Sequence, residues 1–290
     1  MLGRRNRRVL RVASDRAGTL RRRYFAGKQY VKRVAEITLS KLPEVTLGFW
    51  IIKIVATTLG ETAGDTATMT MHLGYLVGTA IFAAVLAVLV AAQIATRTFR
   101  PFLYWAVIVA TTTAGTTLAD FLDRSLGIGY VGGASILLAA VLAVLGLWRA
   151  TLGSVAVTTV ATPRAEAFYW ATIMASQTLG TALGDWMADS TGLGYELGAL
   201  VFATALALVA AAYYRTSVSR VLLFWTAFIL TRPLGATVGD FLDKPVAHGG
   251  LALSRPLASA ALAVAIVILV LVLPQRAGVH PGPQRVAGAT

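Results

Sequence analysis

Residues 50–75 read WIIKIVATTLGETAGDTATMTMHLGY. Trp50 opens the stretch, Gly60 and Gly64 follow four residues apart, Asp65 comes next, and Gly74-Tyr75 closes it. The same frame returns three times. Trp105, Trp170 and Trp225 stand fifteen residues before Asp120, Asp185 and Asp240. Gly115, Gly180 and Gly235 stand five residues before those aspartates, and Ala119, Gly184 and Gly239 immediately before them. Gly129, Gly194 and Gly249 come nine residues after, followed by Tyr130, Tyr195 and, as a departure, Gly250. The Asp-to-Asp spacings are 55, 65 and 55, so repeats 1 and 3 are offset by 120 residues, as are repeats 2 and 4. Repeats 2 and 4 share a further tail, Asp120-Phe121-Leu122-Asp123-Arg124 against Asp240-Phe241-Leu242-Asp243-Lys244. A two-helix unit duplicated twice accounts for these offsets.

Around each frame the chain is apolar. Of its 290 residues 57% are hydrophobic and 13% charged, with a mean hydropathy of +0.70. A soluble domain carries about a quarter charged residues, so an ordinary soluble enzyme is excluded. Cys is absent, which removes thiolate metal sites, thiol redox chemistry and disulfides. Eight apolar stretches follow one another: roughly 45–64, 75–95, 101–119, 130–148, 167–184, 195–214, 221–239 and 251–273. Each is long enough for a helix across a hydrocarbon core of ~30 Å. Backbone groups in lipid must be satisfied locally, which favours helices, and the even stretches lack the alternation of barrel strands.

The reading is an all-α membrane protein. Its eight transmembrane helices come from four parallel two-helix repeats (about 45–98, 99–152, 164–218 and 219–273) with pseudo-twofold, 120-residue internal symmetry. Parallel repeats relate by an axis along the membrane normal, which predicts a ring.

The net charge is +13, and 13 of the 26 basic residues fall in residues 1–41. These residues read as a basic cytoplasmic tail resting on anionic lipid headgroups, with no nucleic-acid partner. Residues 42–273 form the membrane domain and 274–290 a flexible cytoplasmic tail. Arg97, Arg100, Arg149, Arg164, Arg215, Arg220 and Arg276 follow even segments, whereas only Arg124, Lys244 and Arg255 follow odd ones. The positive-inside rule then puts both termini in the cytoplasm of a multi-pass bacterial inner (plasma) membrane protein.

On the Trp residues and Gly-Asp motifs, the chain resembles a bacterial membrane-protein family of four tandem repeats of unknown function. Each of that family's repeats has two transmembrane segments and a signature tryptophan, and its members are described as uncharacterized membrane-anchored proteins. The resemblance covers about residues 45–273 and implies the same fold, but no activity.

The motif suggests chemistry of its own. Small residues four apart, Gly60/Gly64, Gly115/Ala119, Gly180/Gly184 and Gly235/Gly239, open a groove for close helix packing or a hinge. Trp50, Trp105, Trp170 and Trp225 mark the opposite end of each odd segment. Each aspartate lies ~22 Å along a helix from its Trp at ~1.5 Å per residue, near the outer edge of the hydrocarbon. Acids at such depth are costly and are usually functional. Arg124 and Lys244 could instead neutralise them locally, and Asp123, Asp189 and Asp243 read as structural. Glu61 shares a helix face with Asp65. The string Glu61-Thr62-Ala63-Gly64-Asp65-Thr66 is similar to the Glu-x-Gly-Asp-basic-Ser/Thr signature of a cation/manganese exporter family. It has one extra residue before the glycine and Thr66 in place of the base.

One turn deeper, Thr58, Thr113 and Thr178 are candidates for a polar path, although such hydroxyls often bond their own helix. Lys53 and Arg232, at mid-membrane depth, read as counter-ions that tune the acids, and Pro233 predicts a kink.

The expected function is therefore a transporter of a small ion. The first reading is an exporter of a divalent metal such as Mn coupled to protons. Glu61, Asp65, Asp120, Asp185 and Asp240 with Thr58, Thr113 and Thr178 would bind ions, and Glu61, Asp65 and Asp185 would ligate the metal. An oxygen-only donor set suits hard divalent cations. The alternatives are an anionic solute bound by Lys53 and Arg232, or a non-transporting anchor or sensor. No nucleophile–base pair, phosphate loop or resident cofactor is implied, so the chain does not read as an enzyme. Its partners are the lipid bilayer and the transported ion; the sequence sets no oligomeric state.

Overall fold

The computed structural model describes residues 39–280, of which Ser40–Gly278 form one compact unit. Among the described residues there are eight α-helices of 18 to 24 residues. They are α1 (Leu47–Asp65), α2 (Gly74–Ala95), α3 (Pro101–Asp120), α4 (Tyr130–Leu152), α5 (Pro163–Asp185), α6 (Gly194–Arg215), α7 (Arg220–Asp243) and α8 (Arg255–Val272). The basic tail falls outside the described residues except for 39–41.

The starts of the odd helices are written locally. The hydroxyls of Thr46, Thr162 and Ser219 accept from Phe49 N, Ala165 N and Leu222 N at 3.3, 3.2 and 3.5 Å. Pro101 and Pro163 occupy the first helical turn, where a missing N–H costs nothing. After Asp65, Asp120 and Asp185 the helices widen into π-helical turns, Thr66–Thr70, Phe121–Ser125 and Trp186–Ser190. The chain then reverses at Gly74, Gly129, Gly194 and Gly249, whose φ values are 73, 75, 70 and 83°. A side chain is disfavoured there, which explains the glycine nine residues after every aspartate.

The four odd helices pack side by side in a closed ring, α1 on α3, α3 on α5, α5 on α7 and α7 on α1. Each even helix packs mainly on the odd helix of the next repeat: α2 on α3, α4 on α5, α6 on α7 and α8 on α1. The even helices carry the exposed belt, including Val85, Val88, Leu142, Leu200, Leu208, Val264 and Leu271. The odd helices keep their polar residues inside; Lys53, Glu61, Thr116, Glu166, Gln177 and Arg232 are at most 2% exposed.

Six of the helices are long and apolar enough to cross a membrane. The two that are not, α1 and α5, carry Lys53, Glu61 and Asp65, and Arg164, Glu166 and Asp185. Their place inside the ring buries Lys53, Glu61, Asp65, Glu166 and Asp185, whereas Arg164 is exposed at the start of α5. The chain is thus a helical membrane protein built from internal repeats.

One detail departs from the sequence reading. Leu39–Pro43 and Ala277–Val279 pair as a short β-ribbon, β1 and β2, so residues 277–279 are not flexible tail. Arg220–Asp243 runs as one helix through Pro233. The ring packs this segment on both sides, and the proline ring itself lies against Gly180.

Candidate functional site

The interior of the ring is built in layers, because equivalent residues of neighbouring repeats meet. At the N-terminal ends of the odd helices each signature tryptophan packs, tilted, against the aromatic that precedes the tryptophan of the previous repeat. Phe49 meets Trp105 at 5.5 Å, Tyr104 meets Trp170 at 5.7 Å, Tyr169 meets Trp225 at 6.2 Å, and Phe224 meets Trp50 at 5.8 Å between centroids. Eight rings therefore close a collar, each pair worth about 0.5–1.5 kcal/mol beyond its buried area. The buried hydroxyls of Tyr104 and Tyr169 bond each other at 2.8 Å. Leu42 of β1 packs into the same apolar cluster, and Gln275 accepts from Trp105 Nε1 at 3.1 Å.

Above the collar the glycines act. A Cβ at Gly60 would strike Thr112, at Gly115 Gln177, at Gly180 Arg232 and at Gly235 Thr57. One turn on, Gly64, Gly184 and Gly239 receive Thr116, Ala236 and Glu61. Three of the four small-residue grooves thus accept two residues, one turn apart, of a neighbouring odd helix. The glycines serve close packing, and the helices run through them unbroken.

Arg232 fills the axis. Its Nη2 donates to Glu61 Oε2 at 2.7 Å and to the hydroxyls of Thr116 and Thr181, both at 2.5 Å. These three acceptors and Ala236 hold the same place, four residues before the aspartate, in repeats 1 to 4. One guanidinium from α7 thereby ties together α1, α3 and α5, with Ala236 leaving it room. A buried charge survives only when paired and hydrogen-bonded, and this one is both. Lys53, also fully buried, donates to Thr231 Oγ1 at 3.2 Å and lies 4.2 Å from the ring centroid of Phe228. Among the described residues no carboxylate holds its ammonium, whereas Arg232 pairs with Glu61.

The four aspartates form the last layer, each 1–2% exposed. Arg124 joins two of them, Nε to Asp120 Oδ1 at 2.9 Å and Nη2 to Asp185 Oδ2 at 3.2 Å. Lys244 joins the other two, Nζ to Asp65 Oδ2 at 2.6 Å and to Asp240 Oδ1 at 3.1 Å. Arg255 adds contacts to Asp65 at 3.7 Å and Asp243 at 3.6 Å. Burial opposes the charged form of Lys244, but Asp240 and Asp65 outweigh it and hold its pKa well above the ordinary lysine value. One carboxylate oxygen from each of Glu61, Asp65 and Asp240 lies within 4.8 Å of the other two.

Of the residues singled out in the sequence, the structure brings Glu61, Asp65 and Asp240 together. Asp185 lies across from Asp120, in the Arg124 pair. Thr58, Thr113 and Thr178 do not face the site with their hydroxyls; these donate to Ile54 O, Val109 O and Met174 O of their own helices at 3.1, 2.9 and 3.0 Å. The hydroxyls that matter are Thr116 and Thr181. Their signal was available, since both share the offset of Glu61. The aromatic before each tryptophan was equally visible. Asp189 is structural, accepting from Tyr130 at 2.9 Å and Tyr195 at 3.2 Å.

No curated protein and no solved structure matches the chain. One repeat family does match, over residues 48–99, 103–154, 168–219 and 223–274. Each match begins two residues before a signature tryptophan and contains one inner and one outer helix. With four copies over more than half its length, the chain belongs to the family described as Repeat of Unknown Function (DUF347).

Proposed function

We propose that the protein is a multi-pass transporter of the bacterial inner membrane that moves a small divalent cation, such as Mn, in exchange for protons. In this reading all eight helices span the bilayer around a pseudo-fourfold axis. Both termini are cytoplasmic, and the basic tail lies on anionic headgroups. α1 and α5 cross despite their charges because the ring screens them.

The observation that carries the proposal is the charge count of the axial layer. Six buried, ion-paired carboxylates, Glu61, Asp65, Asp120, Asp185, Asp240 and Asp243, face four bases, Arg124, Arg232, Lys244 and Arg255. The two negative charges left over match one divalent cation or two protons. Like charges this close repel by several kcal/mol at an effective dielectric of about 20, so an occupant that neutralises them is favoured. The oxygen donors suit a hard cation. The aromatic collar closes the opposite end, so passage requires the Arg232–Glu61 pair and the collar to open in turn. The anionic-solute reading finds less support, because Arg232 already holds Glu61.

The test is flux of Mn2+ and of protons into proteoliposomes containing the wild type or the Asp65→Asn/Asp240→Asn double variant. Wild type is expected to move both ions, and the variant to lose at least tenfold. Wild-type flux no greater than in empty liposomes, or equal flux in the variant, would overturn the proposal.

A further inference from the structure

The 120-residue offset pairs Asp65 with Asp185, Asp240 with Asp120, and Lys244 with Arg124. Both halves of the acidic layer thus hold two aspartates bridged by a base, yet they differ in two ways. Glu61 has Thr181 as its counterpart, so among the described residues only one half gathers three carboxylates within 4.8 Å. The bridging base also differs in kind. Arg124 holds its two aspartates through separate nitrogens, Nε and Nη2, which fixes the plane of the guanidinium. Lys244 holds its two through a single atom, Nζ. An ammonium is a compact point charge on a flexible stem, placed where a small cation would sit. Asp65 Oδ1 is buried and has no hydrogen-bond donor, so this half keeps an oxygen ready for a ligand. Asp185 Oδ1 is also without a donor, but the residue one turn before it is Thr181 rather than a third acid.

We infer that a divalent cation binds between Glu61, Asp65 and Asp240, displacing the Lys244 ammonium that stands in for it. The pseudo-equivalent Asp120–Arg124–Asp185 cluster is a fixed brace. This rests on the cation reading above and names its site. Lys244 lies one residue beyond α7, where its stem can swing away from the axis. Glu61 is shared with Arg232, so the ion competes with the axial guanidinium for one carboxylate. Arg255, 3.7 Å from Asp65, remains as the other cation at the site.

Equilibrium Mn2+ binding to the full-length protein in detergent tests this, using titration calorimetry. Asp65→Asn and Asp240→Asn are expected to weaken binding at least tenfold, and Asp120→Asn and Asp185→Asn by less than threefold. Lys244→Met is expected to bind at least tenfold tighter. Because Lys244→Met also leaves carboxylates unpaired, thermal unfolding is measured alongside. The variant is expected to be less stable than wild type without metal and to gain more in Tm when Mn2+ is added. Equal weakening in both halves, or no tightening and no larger Tm gain in Lys244→Met, would overturn the inference. That outcome is distinct from failure of the transport reading, which is an absence of Mn2+ flux in wild type.

Discussion

At the N-terminal end of the inner ring the four repeats contribute the same two side chains, an aromatic and a tryptophan, and these close a collar with one contact repeated four times. At the C-terminal end they contribute the same aspartate, but its neighbours differ from repeat to repeat. Glu61 appears once, Arg232 appears once, and bridging bases appear only in repeats 2 and 4. Packing tolerates fourfold repetition, because similar aromatic surfaces fit one another all the way round. Charge does not, because four equivalent buried acids repel and need partners of the opposite sign. The duplicated scaffold has kept its symmetry where shape decides stability and lost it where electrostatics decides.

The largest effects should come from the shape side. Gly180→Leu would drive a side chain into Arg232 and Pro233, so no monodisperse protein is expected on size-exclusion chromatography. Gly146→Leu, on outer helix α4 with open space around it, is expected to behave as wild type. A folded Gly180→Leu variant would break the account of the grooves.

On the charge side, Arg232→Met leaves Glu61 buried without its partner, a loss of about 3–5 kcal/mol. Adding Glu61→Gln should restore most of it, as measured by denaturant unfolding in detergent; no rescue would mean that the pair is not what holds the axis. Exchanging the two bridging bases sharpens the contrast within the layer. Lys244→Arg is expected to lower Mn2+ flux at least tenfold, and Arg124→Lys to leave flux within twofold while losing about 1 kcal/mol of stability from the two-nitrogen bridge. The smallest change is within the collar. Tyr104→Phe removes one buried hydroxyl contact, worth about 1 kcal/mol, without altering flux.

Much of this was legible in the chain because it recurs. The Trp, Gly and Asp offsets mark four repeats and the site of close packing, since a pattern met four times is independent of local propensity. The closing glycines are legible for the same reason, and the φ values of Gly74, Gly129, Gly194 and Gly249 account for them. What the pattern could not convey is which neighbour each helix meets. That Lys244 reaches Asp65, 179 residues away, or that Arg232 reaches Thr116 and Thr181, follows from ring closure. The threonines mislead for a related reason. Thr57 and Thr58 are adjacent in sequence, but Thr57 also reaches Thr231 O across the helix boundary at 3.1 Å, whereas Thr58 bonds only its own helix. A rotation of about 100° between successive helical residues decides which one faces a neighbour.

The claim on which the rest depends is that the acidic layer holds a divalent cation on the ring axis. Anomalous diffraction from crystals grown with Mn2+ tests it most directly. The expected result is a single strong peak within coordination distance of Glu61, Asp65 and Asp240, with Lys244 turned away and Arg124 unmoved. A peak outside the ring, or none at saturating Mn2+ with Lys244 still between Asp65 and Asp240, would contradict it.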